Sequence, residues 1–184
     1  KLGKFTEPSG GATPPANDKM ALYVAPPLVK IDPMGAKVLF DDAAKDWAKA
    51  NAVWDGKKIV LHGARGEYVS YQLITERKGD KLNGLTVKPG ELSGKGGKIG
   101  GDAFELWRQW PNRNSKNKWQ PAYCIPMVAD TKLTVPDPER KLDGQKTQGV
   151  YVDVYIPKDA KAGAYTGKVT IAAEGGEAIS LPVE

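Results

Sequence analysis

The sequence predicts an all-β protein, an antiparallel β-sandwich of the immunoglobulin or jelly-roll kind, with one short inserted helix and long loops. Three observations predict it. Apolar residues recur at every second position in several short runs, the pattern of strands buried on one face. Gly 21 and Pro 14 punctuate those runs. A single stretch has helical spacing. At 184 residues the chain suits one domain whose core needs no staples.

Residues 1–19, KLGKFTEPSGGATPPANDK, hold little to bury and read as a flexible linker or arm, leaving residues 20–184 as the sandwich domain. The first apolar run, from Met20 to Val24, is followed by Pro26-Pro27 and then by Leu28 to Ile31, which suits a sheet edge. Residues 41–50 are the helix candidate. Asp41 or Asp42 caps its start, and Ala43, Ala44, Trp47 and Ala48 share one face, with Trp47 pinning it to the sandwich. Asp55-Gly56 marks a tight turn.

Beyond that turn the period is two. Ile59 and Leu61 alternate with Lys58, Val60 and His62; Val69, Tyr71 and Leu73 with Ser70 and Gln72; Leu85 and Val87 with Thr86 and Lys88. Phe104, Leu106 and Arg108 alternate with Glu105, Trp107 and Gln109. Val150, Val152, Val154 and Ile156 alternate with Tyr151, Asp153 and Tyr155. Val169 and Ile171 follow in another such run, and Ile179, Leu181 and Val183 close the chain. The glycine-rich residues 93–101 read as a flexible connection, and residues 129–148 as a long surface loop.

Composition restricts function. The formal charge is +5, but the lysines (Lys57, Lys58, Lys78, Lys81, Lys95, Lys98, Lys116, Lys118) look scattered, so no nucleic-acid partner is expected. No apolar run approaches the roughly 18–20 residues of a membrane span. Cys124 is the only cysteine and is expected to be a small buried hydrophobe. His62 is the only histidine and has outward parity, which leaves neither a nucleophile–histidine triad nor a Cys/His zinc site. Asp130, Asp137, Glu139 and Asp143 match no calcium-loop spacing and are interleaved with cations. No cofactor or metal is expected.

Three segments carry a resemblance. The first is Ala64-Arg65-Gly66-Glu67-Tyr68-Val69-Ser70-Tyr71-Gln72. The second is Trp119-Gln120-Pro121-Ala122 with Pro126. The third, the most specific, runs from Gly149 through the alternating valines to Pro157, Lys158, Asp159 and Ala160, then Gly163, Tyr165, Thr166 and Gly167. In this order the chain resembles the N-terminal β-sandwich domain of glycoside hydrolase family 123 and related bacterial proteins, over roughly residues 20–184. The resemblance implies that a (β/α)8-type domain follows the sandwich and holds the catalytic acids, so that no catalytic residue lies here. It also implies a secreted or periplasmic setting. This chain has Ala122 where the family commonly has an acid.

The motif residues Arg65, Gly66, Glu67, Gln72, Gly163, Tyr165 and Gly167 have structural readings of their own. Arg65 and Glu67 tie a turn to a neighbouring strand, and Gly66 takes a backbone conformation that a side chain hinders. Gln72 satisfies backbone groups. Tyr165 lays its ring over the core edge with its hydroxyl wet. For ligands, Trp107, Trp110 and Trp119 with Asn112, Arg113 and Gln120 supply the flat rings and amides that sugar-binding sandwiches use. Burial of these rings in the core, or beneath a partner domain, is the competing reading. The expected function is a non-catalytic accessory module packed on a downstream catalytic domain, with carbohydrate binding through the tryptophans as the alternative.

Overall fold

The computed structural model describes residues 13–39, 46–128 and 130–184. Eleven strands make up the described fold: β1 (Met20–Ala25), β2 (Tyr68–Arg77), β3 (Leu82–Pro89), β4 (Leu92–Gly94), β5 (Gly97–Ile99), β6 (Phe104–Arg113), β7 (Trp119–Pro126), β8 (Leu133–Val135), β9 (Thr147–Tyr155), β10 (Tyr165–Ala172) and β11 (Ile179–Val183). The larger sheet has the order β1-β2-β9-β6-β7. The smaller follows β5-β4-β10-β3-β8, with β11 on the other edge of β10. All these strand pairs are antiparallel. The fold is the sandwich that the period-two pattern predicts.

Alternation decides which side chains meet. Met20, Leu22 and Val24 of β1, Tyr71 and Leu73 of β2, and Val150, Val152 and Val154 of β9 form the buried inner row of the larger sheet. They meet Leu85, Val87, Val169, Ile171, Leu181 and Val183 of the smaller one. β-branched residues dominate the facing rows because their stiff side chains suit a pleated surface. Residues 59–61 run along the free edge of β11. Ile59 donates to the Pro182 carbonyl at 2.8 Å, Leu61 donates to that of Glu184 at 2.8 Å, and Glu184 donates back to Ile59 at 2.9 Å. That covering blunts an otherwise open sheet edge.

The other face of the larger sheet is partly covered by residues 26–39 and 46–48, whereas Trp54 reaches the main core. The helix expected over residues 41–50 is not found where it can be tested. Residues 41–45 lie outside the described residues, and residues 46–49 form a turn in which Lys49 and Ala50 both donate to the Asp46 carbonyl. Trp47 is nonetheless buried among Ala25, Ile31 and Ile74, its ring 5.5 Å from that of Tyr23. One large apolar side chain anchors the segment whether or not its backbone is helical.

Residues 13–19 lie as an arm against the domain, as one of the two readings of residues 1–19 has it: Leu22 donates to the Pro15 carbonyl, and Asn17 Nδ2 to that of Glu177. Residues 1–12 lie outside the described part. Other expectations are corrected. Residues 93–101 are not a loose connection: residues 93–99 belong to the β4–β5 hairpin, which spans residues 92–99. Its glycines serve close approach, since a Cβ on Gly94 would sit 2.2 Å from the Ala164 carbonyl oxygen. Residues 129–148 are not one surface loop. They include β8 and bury Asp137, Leu142 and Gln145, because hydrogen bonds satisfy the polar groups that made the stretch look exposed.

Those bonds belong to a buried chain of glutamines. Gln145 accepts from the Asp137 amide at 2.8 Å and donates to Gln148 Oε1 at 3.3 Å. Gln148 donates to the Gln109 carbonyl at 2.9 Å. The Gln109 amide donates to Gln72 Oε1, and Gln72 donates to the carbonyls of Pro26 (2.6 Å) and Val29 (2.7 Å). The chain thus crosses the sheet from the loop after β8 to the loop after β1. It passes over Gly149, where a Cβ would lie 2.1 Å from Gln109 Oε1. Gly149→Ala should therefore displace Gln109 and orphan buried polar atoms, lowering unfolding free energy by about 1–3 kcal/mol. Urea denaturation checks this, and a variant as stable as the parent contradicts it.

Candidate functional site

Two regions concentrate chemistry-bearing side chains. The first is the β6–β7 hairpin. β6 and β7 pair as Trp110↔Tyr123, Asn112↔Gln120 and Arg113↔Trp119, with a register shift after Trp110. The turn between them is built by Asn114, whose Oδ1 accepts from the amides of Lys116 (2.9 Å) and Lys118 (3.0 Å). Asn114 closes this loop because a short amide side chain can mimic a backbone turn.

The three tryptophans do not form one platform. Trp107 lies on the opposite face of β6 from Trp110, and its indole nitrogen is buried without a partner. Trp110 and Trp119 are brought together through Arg140, whose guanidinium carbon is 5.8 Å from one ring centroid and 4.9 Å from the other. Arg108 lies 4.6 Å from the Trp110 centroid, and Arg113 5.0 Å from that of Trp119. Each indole is thus flanked by two cations, attracted by the electron-rich ring face. Of the predicted polar residues, Asn112 accepts from Arg140 Nη2 at 3.0 Å, Arg113 donates to Asn117 Oδ1 at 2.6 Å, and Gln120 is half-buried on β7.

Arg140 and Arg108 are the residues that the sequence reading missed in this cluster. Arg140 also donates through Nε to the Pro111 carbonyl at 2.6 Å. It is placed by Asp137, whose Oδ1 accepts from the amides of Glu139 and Arg140. The other Asp137 oxygen meets Arg108 Nη1 at 3.3 Å, and Glu139 meets Arg108 Nη2 at 3.0 Å. These carboxylates are engaged by an arginine, and Asp130 pairs with Lys88 at 2.6 Å. Among the described residues no three acidic, histidine or cysteine side chains converge as metal ligands.

The second region is a cleft of about 600 Å³ at the opposite end of β9. Val69, Leu92, Val154 and Ile156 line its floor, and residues 60–65 and 160–165 line its walls, with Glu184 at the edge. Of the motif residues, Arg65, Gly163 and Tyr165 line it, whereas Gln72 belongs to the glutamine chain. Gly66, at φ +80°, donates to the Ile156 carbonyl at 2.7 Å, and Ile156 donates to that of Glu67 at 2.8 Å. Glu67 does not pair with Arg65. Its carboxylate accepts from the Ala64 amide at 2.7 Å and closes the turn, leaving Arg65 exposed. The Tyr165 hydroxyl donates to the Lys161 carbonyl at 2.8 Å. Gly167 passes β4 so closely that a Cβ would lie 2.5 Å from the Glu91 carbonyl oxygen. His62 is exposed on the cleft wall.

Cys124 is exposed on edge strand β7, not buried as expected, because β7 has no strand beyond it. Its thiol is held above the ordinary range by partial burial and then by the Asp153 charge, which disfavours a thiolate. Among the described residues no helix is long and apolar enough to cross a membrane.

Sandwich, cleft and hairpin together define an antiparallel β-sandwich domain. The sequence profile of the glycoside hydrolase 123 N-terminal domain matches residues 44–173, and the chain belongs to that family. A structural comparison agrees on the fold. The structure of a family 123 glycoside hydrolase from Clostridium perfringens, described for glycolipid glycan hydrolysis, superposes with a TM-score of 0.56 at 11% identity. The match covers 90% of this chain and 27% of that one. Comparison with curated proteins returns no match.

Arg140→Ala should remove a cation from both indoles and free Asn112. Tryptophan emission should move to longer wavelength, with about 1–2 kcal/mol of stability lost. Fluorescence and urea titration check both, and unchanged emission would show that Arg140 does not cover the rings.

Proposed function

We propose that this chain is a non-catalytic accessory module of a larger glycoside-hydrolase-type protein, and that it seats a following catalytic domain on the cleft at the far end of β9. One observation carries the reading. Two of the three segments on which the family resemblance rests, far apart in sequence, both contribute to this cleft: Ala64, Arg65 and Val69 from the first, and Val154, Ile156 and residues 160–165 from the third; the second lies on β7. The half-buried Val69 and Ile156 on the cleft floor keep apolar surface that contact with another folded body would remove from water. The profile match supports the role, because the matched family is by its description an N-terminal domain.

The walls contain small residues, Ala162, Gly163 and Ala164, which leave room for an incoming element. Ala162→Trp fills that room with little cost to the sandwich, because Ala162 is exposed. Titration of this chain with the separately produced catalytic domain of the same protein should give a measurable affinity, weakened roughly tenfold or more by Ala162→Trp. Hydrogen exchange should slow over residues 60–65 and 160–165 on binding. Absence of affinity, or protection confined to another face, refutes the proposal.

A further inference from the structure

The Arg–Trp hairpin lies away from the cleft and has no part in the role just proposed. Its charge pattern is unusual for this chain. From Leu106 to Val128 there is no acidic residue, while Arg108, Arg113, Lys116 and Lys118 are all basic. Folding adds Arg140 from another loop. Lys116 and Lys118, neighbours in the turn that Asn114 closes, thus stand beside Arg113 and the incoming Arg140. Asp137 and Glu139 take Arg108, so its charge is answered. Among the described residues, neither Arg113 nor Arg140 forms an ion pair.

The two free guanidiniums flank the same indole, Trp119, at 5.0 and 4.9 Å from its centroid. Each is held by neutral acceptors that leave donors unused. Arg113 uses Nη1 on Asn117, and Arg140 uses Nε on Pro111 and Nη2 on Asn112. Fixed planar forks with spare N–H groups suit the two-oxygen edge of a sulfate or carboxylate. The same stacking takes up ring surface that an uncharged sugar would need.

We propose that the tip of the β6–β7 hairpin binds an acidic polysaccharide, its sulfate or carboxylate groups received by Arg113 and Arg140 and its chain followed by Lys116 and Lys118. The choice of a glycan over other polyanions rests on the family assignment. Seating of a catalytic domain is not required, because the hairpin tip and the cleft lie at opposite ends of the larger sheet.

The test uses the full chain at about 150 mM salt, where weak surface attraction is largely screened. Binding is measured to dextran sulfate, which offers sulfate alone, to hyaluronan, which offers carboxylate alone, to neutral dextran, and to an oligo-dT strand. At least one acidic polysaccharide should bind, and neutral dextran should not. Arg113→Glu and Lys118→Glu, both at exposed positions, should each weaken that binding roughly tenfold or more. Lys57→Glu, away from the hairpin, should leave it unchanged, with circular dichroism confirming that all three variants fold. The proposal fails if neither acidic polysaccharide binds, if Arg113→Glu binds as well as the parent, or if oligo-dT binds more tightly than both.

Discussion

Strand β9 is the constraint to which everything else is referred. It pairs with β2 along one edge and β6 along the other. Its inward valines, Val150, Val152 and Val154, are all but inaccessible and hold the two sheets together. At its start, Thr147, Gln148 and Gly149 are buried and take part in the glutamine chain. At its end, Val154 and Ile156 floor the motif-lined cleft. A one-residue slip of this strand would turn the valines outward and put a side chain where Gly149 admits Gln109.

Polar groups, rather than apolar ones, fix how the loops sit on this frame. Burying an amide side chain is unfavourable unless its donors and acceptors are matched, so a matched set specifies one arrangement over near alternatives. Gln72 is matched by two carbonyls and by Gln109, and this holds the chain after β1 against the sheet. Gln145 does the same for the loop after β8 by receiving the Asp137 amide. Asp137 in turn places Arg140 over the indoles. The hairpin cluster therefore depends on buried hydrogen bonds two elements away.

The frame was legible in the sequence because alternation is a local signal. Residues 69–73, 104–109 and 150–156 reveal both their strands and their inward faces without knowledge of their partners. The glycine-rich residues 93–101 misled because strands of three residues are too short for a period to register. Trp47 revealed itself as an anchor, but dense alanines suggested a helix where residues 46–49 form a turn. The hairpin was legible only in part. Its aromatic and amide residues are contiguous in sequence, whereas Arg140 arrives from a loop that reads as charged surface, and no local pattern links it to Trp110 or Trp119. Cys124 misled because cysteine as a residue type favours burial, and edge position is a property of topology.

Native-state hydrogen exchange, read residue by residue, tests the place of β9 most directly. The account predicts that the inter-strand amides of β9, with their β2 partners, exchange only through global unfolding, while those of the β6–β7 tip and the β4–β5 hairpin open at lower free energy. Amides in β9 that exchange as readily as those at the hairpin tips, or a most-protected set confined to the smaller sheet, would contradict it.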